Sequence, residues 1–187
     1  LRDAVRGSLA RMAAALLSGA APGAALARAT LVGNTAMHHL LLGLDVTSLA
    51  TAPFVPAREE GALLTGRELG WPDGAAGAAV TLLPNLGGFV GSDILAVILA
   101  TRLHEAEECS GAADLGTNGE IVVGDRRGLW VASTAAGPAF EGARISQGMR
   151  AAPGAIDRVT VDGTGLRTHV VGGGAPRGLC GSGLVDA

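Results

Sequence analysis

DLGTNGEIVVG, residues 114–124, is the stretch on which the reading of the fold turns. Short strand-like runs at 112–115 and 120–123 flank Gly116, Thr117, Asn118 and Gly119, the pattern of a tight β-hairpin. The turn has two readings. Asn-Gly is a preferred hairpin turn and needs no ligand. Alternatively, Gly116 and Gly119 lack a Cβ and let backbone N–H groups approach a polyphosphate, Thr117 and Asn118 add side-chain donors, and Asp114 can hold a hydrated Mg²⁺. Downstream, a turn at 125–128 leads to a further run at 129–133, so a three-stranded meander is expected.

Upstream, 80–83 reads as a buried strand closed by PNLGG (84–88), after which Ser92 or Asp93 caps an almost wholly apolar helix running to Leu103. The same order occurs earlier. An apolar run at 29–32 ends in Gly33-Asn34-Thr35, and 36–42 regains helical composition with Asn34 or Thr35 as cap. Free N–H groups and a positive dipole end make helix starts anion sites, so Gly33, Asn34 and Thr35 are candidate phosphate contacts, with ordinary capping as the alternative. Val5, Leu9, Met12 and Leu16 mark an amphipathic helix stopped by Gly19 and Pro22. Pro53, Pro56, Pro72 and many Gly interrupt 43–79, where only 63–69 looks briefly helical. After the meander, 134–142 is a small-residue run with Gly137 and Glu141. It suits close approach of a nucleotide or tight packing of one backbone on another. A hairpin at 156–161 and 166–171 follows, and then Gly181-Ser182-Gly183 opens a helix as a second candidate anion contact. The class is α/β.

Composition sets limits. At 187 residues, 48% apolar and 17% charged, the chain has the apolar area to fold, as one large domain or two small lobes. A net charge of -3 and 3% aromatic residues without Tyr argue against a nucleic-acid partner. All 14 basic residues are Arg, which excludes a phosphate loop that needs its Lys, a Schiff-base enzyme and a Ser–Lys hydrolase. Cys109 and Cys180 read as reduced thiols of a cytoplasmic protein, Cys180 as a small buried residue at a helix start. No apolar run of about 18 residues predicts a membrane span. His38 and His39 are adjacent on a helix and point apart, one inward and one toward a polar network, while His104 and His169 fall on surface positions. The chain opens on Leu1 and stops at 185–187 as a helix begins, so it reads as a fragment.

Several segments together resemble one family. GNTAMHHLLLGL (33–44), APFVP (52–56), LPNLGGFVGSD (83–93), DLGTNGEIVVG (114–124), STAAGPAFEGARISQGM (133–149) and GLCGSGLVDA (178–187) are similar to the carboxy-terminal ATPase domain of the ATP-dependent reductive activators of corrinoid proteins. These are ferredoxin-like proteins of the sugar kinase, heat-shock ATPase and actin superfamily. The resemblance runs from about residue 28 to the end. It implies an actin-like fold with ATP between two lobes, each offering an Asp-x-Gly hairpin. Residues 1–110 would be the end of the first lobe and the connection between lobes, and 111–187 the start of the second. Asp114 to Gly119 matches the second hairpin; nothing before Arg28 resembles the first, and the cluster-binding cysteines would lie upstream of this chain.

The implied activity couples ATP binding and hydrolysis to a low-potential electron transfer that reduces Co(II) to Co(I) on a corrinoid protein. Its cofactors are ATP and Mg²⁺, with an iron–sulfur cluster only in a module outside this chain. By the same implication Asp114 holds Mg²⁺, Gly116, Thr117, Asn118 and Gly119 face phosphate, and Glu141 or Asp93 positions water or metal. A homodimer is compatible with this reading. A small-molecule kinase of the same superfamily and a docking module without turnover are the alternatives. An upstream Asp-x-Gly-Thr hairpin with a four-Cys segment would favour the activator, the hairpin alone a kinase, and neither a docking module.

Overall fold

The structure, a computed structural model, describes residues 1–116, 118–135, 145–163 and 165–186. It divides into two compact units, Leu1–Ala112 with Val122–Val131, and Ala113–Ile121 with Ala132–Ala187.

In the first unit, helix α1 (Arg2–Ser18) turns Val5, Leu9, Ala13 and Leu17 onto the core and leaves Met12 and Leu16 exposed. The buried face follows the i, i+4 row, not the stripe through 12 and 16, because Ala13 lets the helix come close where a larger side chain would hold it off. Strand β1 (Arg28–Leu31) runs into helix α2 (Thr35–Leu42), which is followed by the one-turn helix α3 (Thr47–Ala50). Strand β2 (Ala62–Thr65), the short helix α4 (Asp73–Ala76) and strand β3 (Ala79–Leu82) complete a sheet of order β1-β3-β2. β1 is parallel and β2 antiparallel to β3. The expected helix at 63–69 is therefore a strand and a turn. Leu63 and Leu64 pair with Thr81 and Val80, and Glu68 Oε2 accepts from the Thr65 N–H at 2.6 Å, closing the chain back on itself. Leu41, Leu69, Trp71, Ala75, Ala78, Val80 and Leu82 form the core beneath this sheet.

Helix α5 (Ser92–Thr101) ends where Arg102 adopts a positive φ, and one 3-10 turn follows at Leu103–Glu105. Neither Ser92 nor Asp93 caps it through a side chain. Gly91 holds the cap position, while Asp93 Oδ1 accepts from the adjacent Ile94 N–H at 2.9 Å. Strands β4 (Ser110–Leu115), β5 (Asn118–Asp125) and β6 (Gly128–Ala135) form the expected meander in sequence order. Ile94, Ile98 and Leu103 bury themselves against Val122, joined by Ala112, Leu129 and Val131. The apolar helix thus finds the sheet it needs.

The turn from β5 to β6 is fixed by Asp125. Its Oδ1 accepts from the Arg127 N–H at 2.8 Å and its Oδ2 from Arg127 Nη2 at 2.6 Å. The side-chain bond from Arg127, reinforced by the backbone bond, lowers the Asp125 pKa from 3.8 to about 2. A depressed carboxylate contributes stability that is complete above the unfolded value of 3.8 and is lost as pH falls through about 2. An NMR titration of the Asp125 carboxyl is expected to show that midpoint; one at 3.8 would mean the turn is open in solution.

In the second unit, strands β7 (Ala155–Asp162), β8 (Gly165–Val170) and β9 (Gly178–Leu179) form a sheet of order β8-β7-β9, β8 antiparallel and β9 parallel to β7. Helix α6 (Gly181–Asp186) follows and packs on β7.

Candidate functional site

The hairpin read first from the sequence sits where β4 passes into β5. The Gly116 N–H donates to the Asn118 carbonyl at 3.1 Å, so this amide closes the turn and is already committed. Asp114, the penultimate residue of β4, is half-buried, and among the described residues its carboxylate has no ion-pair partner. Asn118 is exposed and Gly119 buried. Glu120 Oε1 accepts from Ser133 Oγ at 2.9 Å, tying β5 to β6 just below the turn. A half-buried carboxylate with no such partner fits a hydrated divalent cation, whereas Gly116 offers a phosphate no free N–H. Thr117, Gly137 and Glu141 lie outside the described residues.

Gly33, Asn34 and Thr35 leave the C-terminal end of β1, and the 83–91 segment leaves that of β3. The structure joins these two turns directly. Asn34 Oδ1 caps α2 by accepting from the Met37 N–H at 2.9 Å, and Thr35 Oγ1 donates to the Gly87 carbonyl at 2.8 Å. Fully buried Ser92 accepts from the Gly33 N–H and donates to the Gly33 carbonyl through Oγ, both at 3.1 Å. Its own N–H meets the same carbonyl at 3.0 Å. The side chains of Asn34 and Thr35 therefore already serve one turn or the other, and Asp93 lies one residue beyond this clamp. Sequence reasoning missed Ser92's role because a Ser near a helix start reads as a cap. The signal was Gly91 immediately before it, which lets the second turn approach the first.

His38 and His39 are both buried. His39 Nε2 accepts from the Ala57 N–H at 3.0 Å and Nδ1 lies 2.8 Å from the Thr35 carbonyl; neither ring nitrogen of His38 has a partner in hydrogen-bond geometry among the described residues. The expected division, one ring packed inward and one on a polar network, holds, with both rings buried. Asn85, in the turn after β3, is likewise buried with neither side-chain amide atom partnered among the described residues.

In the second unit, Gly181 is buried and Ser182 exposed at the start of α6. Cys180 is buried, as expected, with Sγ 3.2 Å from both the Ile156 carbonyl and Ser182 Oγ. Burial pushes its thiol up, but the Ser182 hydroxyl and the Gly183 and Ser182 N–H groups outweigh it and hold the thiol below its ordinary range. Ser182 thus has a partner within the chain.

Comparison with known proteins agrees with this architecture. Residues 1–106 match the family model described as the RACo middle region, and residues 108–187 that of the C-terminal domain of RACo, the ASKHA domain. The likeness therefore begins at residue 1 and not near 28. The chain is 44% identical over 155 residues to the corrinoid activation enzyme RamQ of Eubacterium limosum, covering 83% of this chain and 26% of that protein. Over 84 residues it is 47% identical to the Co(II) methylated amine-specific corrinoid protein reductase of Methanosarcina barkeri, covering 44% of this chain and 15% of that protein. A solved reductive activator for corrinoid, iron-sulfur protein superposes with a TM-score of 0.66 at 38% identity, over 86% of this chain and 26% of the other. The chain thus spans about a quarter or less of the length of these relatives. With its α/β, actin-like ATPase fold, the chain belongs to the RACo family, matching its middle region and its C-terminal ASKHA domain.

Proposed function

We propose that this chain works within an ATP-dependent reductive activator that couples ATP binding and hydrolysis to the reduction of a corrinoid protein from Co(II) to Co(I). The observation that carries the reading is the Asp114 to Gly119 turn, inside the segment matching the ASKHA domain, with a half-buried carboxylate that forms no ion pair among the described residues. The relatives are named for acting on corrinoid proteins, which supports that partner.

MgATP, when bound, supplies the free energy for a conformational step that makes an uphill electron transfer feasible. Asp114 holds the hydrated cation by its charge, and Gly119, Asn118 and Thr117 face the phosphates. The Asn34 and Thr35 N–H groups, Gly137, Gly181 and Ser182 are further phosphate-facing candidates, whereas the Gly33 N–H is taken by Ser92, and Asp93 and Glu141 are candidates for orienting water or metal. Residues 1–110 serve as the end of one lobe and the connection, and 111–187 as the start of the next. The iron–sulfur cluster belongs to a module outside residues 1–187, and the activator works in the cytoplasm. Among the described residues no helix is long and apolar enough to cross a membrane.

Calorimetric titration of MgATP tests the nucleotide half of the proposal. One hairpin supplies part of a phosphate cradle, and each missing charged contact costs about 1.5–3 kcal/mol. The full-length protein is expected to bind MgATP at least about a hundredfold more tightly than residues 1–187 alone. Equal affinity would place the cleft elsewhere.

A further inference from the structure

The APFVP segment (52–56) and the adjacent His pair are used by nothing in the proposed function, yet the structure joins them. Ala57 N–H is a donor, so His39 Nε2 must present a lone pair; the Thr35 carbonyl is an acceptor, so Nδ1 must carry the hydrogen. The tautomer is fixed, and the ring is neutral. A proton added to Nε2 would set N–H against N–H and break the bond that ties the 51–61 segment to α2. His38, its ring centroid 5.6 Å from that of His39, lines a cavity of about 80 Å³ with Val5, Leu9, Met37, Leu41 and Leu82. A charged ring is poorly housed there.

The charged surroundings reinforce this. From α1, Arg2 lies against Gly43 and Arg6 Nε donates to the Leu41 carbonyl at 3.0 Å. The 51–61 segment brings Arg58, which pairs with Glu60 at 3.9 Å, and Glu59. Strand β3 and residues 83–91 carry no charged residue. Burial, His39 and Arg58 lower the His38 pKa, and only the Glu60 carbonyl works the other way, from a position that misses hydrogen-bond geometry.

We propose that His38 and His39 form a proton-operated latch: while both rings are neutral they hold residues 51–61 against α2, and a proton from solvent on His39 Nε2 or on His38 releases the segment. Release reaches the clamped turns, because the Phe54 carbonyl abuts Gly88, the Phe54 ring meets Phe89 at 5.1 Å, and Gly87 accepts the Thr35 hydroxyl. The sign follows from a folded pKa below the unfolded one. His38's contribution is complete above about pH 6.5 and is lost as pH falls through the folded value.

Amide hydrogen exchange by NMR on the chain, corrected for intrinsic rates, tests the latch. Protection of the Ala57 amide is expected to fall severalfold, with a ceiling of about tenfold for one titrating ring, between about pH 7.5 and pH 5.5, while the β3 amides of Val80 and Leu82 keep theirs. His39→Gln, which retains an acceptor but cannot titrate, should suppress much of that fall. Should this variant fail to fold, the wild-type imidazole nitrogen shifts decide, with the hydrogen expected on Nδ1 at the higher pH. Constant protection of Ala57, a parallel loss at Ala57 and Val80, or a hydrogen on Nε2 would overturn the latch.

Discussion

Asp114→Ala in the full-length protein is expected to lower ATP turnover about 10²–10³-fold while leaving the folded state nearly as stable as wild type. Two features of the residue separate these effects. It is half-buried and, among the described residues, in no ion pair, so its removal strands no buried charge. It also stands on β4 directly before the Gly116 turn, so a cation held there loses a charged ligand, and the Asp114→Asn side chain would replace that ligand only with a dipole. Asp114→Asn should therefore be nearly as slow as Asp114→Ala. ATPase assays with thermal melts on the same samples check this. Normal turnover in either variant would remove Asp114 from the mechanism, and a large fall in Tm would make its role structural.

Gly91→Ala is expected to cost about 3 kcal/mol, which for a chain of this size lowers Tm by roughly 6–12 °C. A Cβ at position 91 would stand 2.5 Å from both Asn34 Cα and the Gly33 carbonyl oxygen. Both are backbone atoms, held by the three Ser92 bonds to Gly33, and cannot rotate aside. Gly77→Ala is the control, since a Cβ there meets nothing within 4 Å. It should shift stability by no more than about 0.5 kcal/mol. Similar melts for the two variants would show that the two turns are not clamped in solution.

The contrast between Gly91 and Asp114 shows what could be read from sequence and why. Local chemistry was legible. The 114–120 turn, the hairpin at 155–170, the Asn34 cap and the apolar α5 follow from propensity and periodicity over a few residues. Long-range packing was not. Whether α1 buries residue 12 or 13 depends on how closely a helix can approach its sheet, and Leu63–Leu64 became a strand because β3 offered a free edge. Ser92 looked like a cap because its true partner, Gly33, lies 59 residues away. The residues assigned to phosphate are scattered along the chain for the same reason, and only the hairpin around Asp114 has a local pattern distinctive enough to single out.

The coupling of ATP to cobalt reduction can be followed by the absorbance of a Co(II) corrinoid protein under anaerobic conditions, with the full-length protein, a low-potential electron donor, and MgATP present or withheld. The Co(I) spectrum is predicted to appear with MgATP and to be absent or far slower without it, and Asp114→Ala is predicted to abolish the difference. Co(I) formation at the same rate with and without MgATP, or steady ATP hydrolysis that never yields Co(I), would contradict the account.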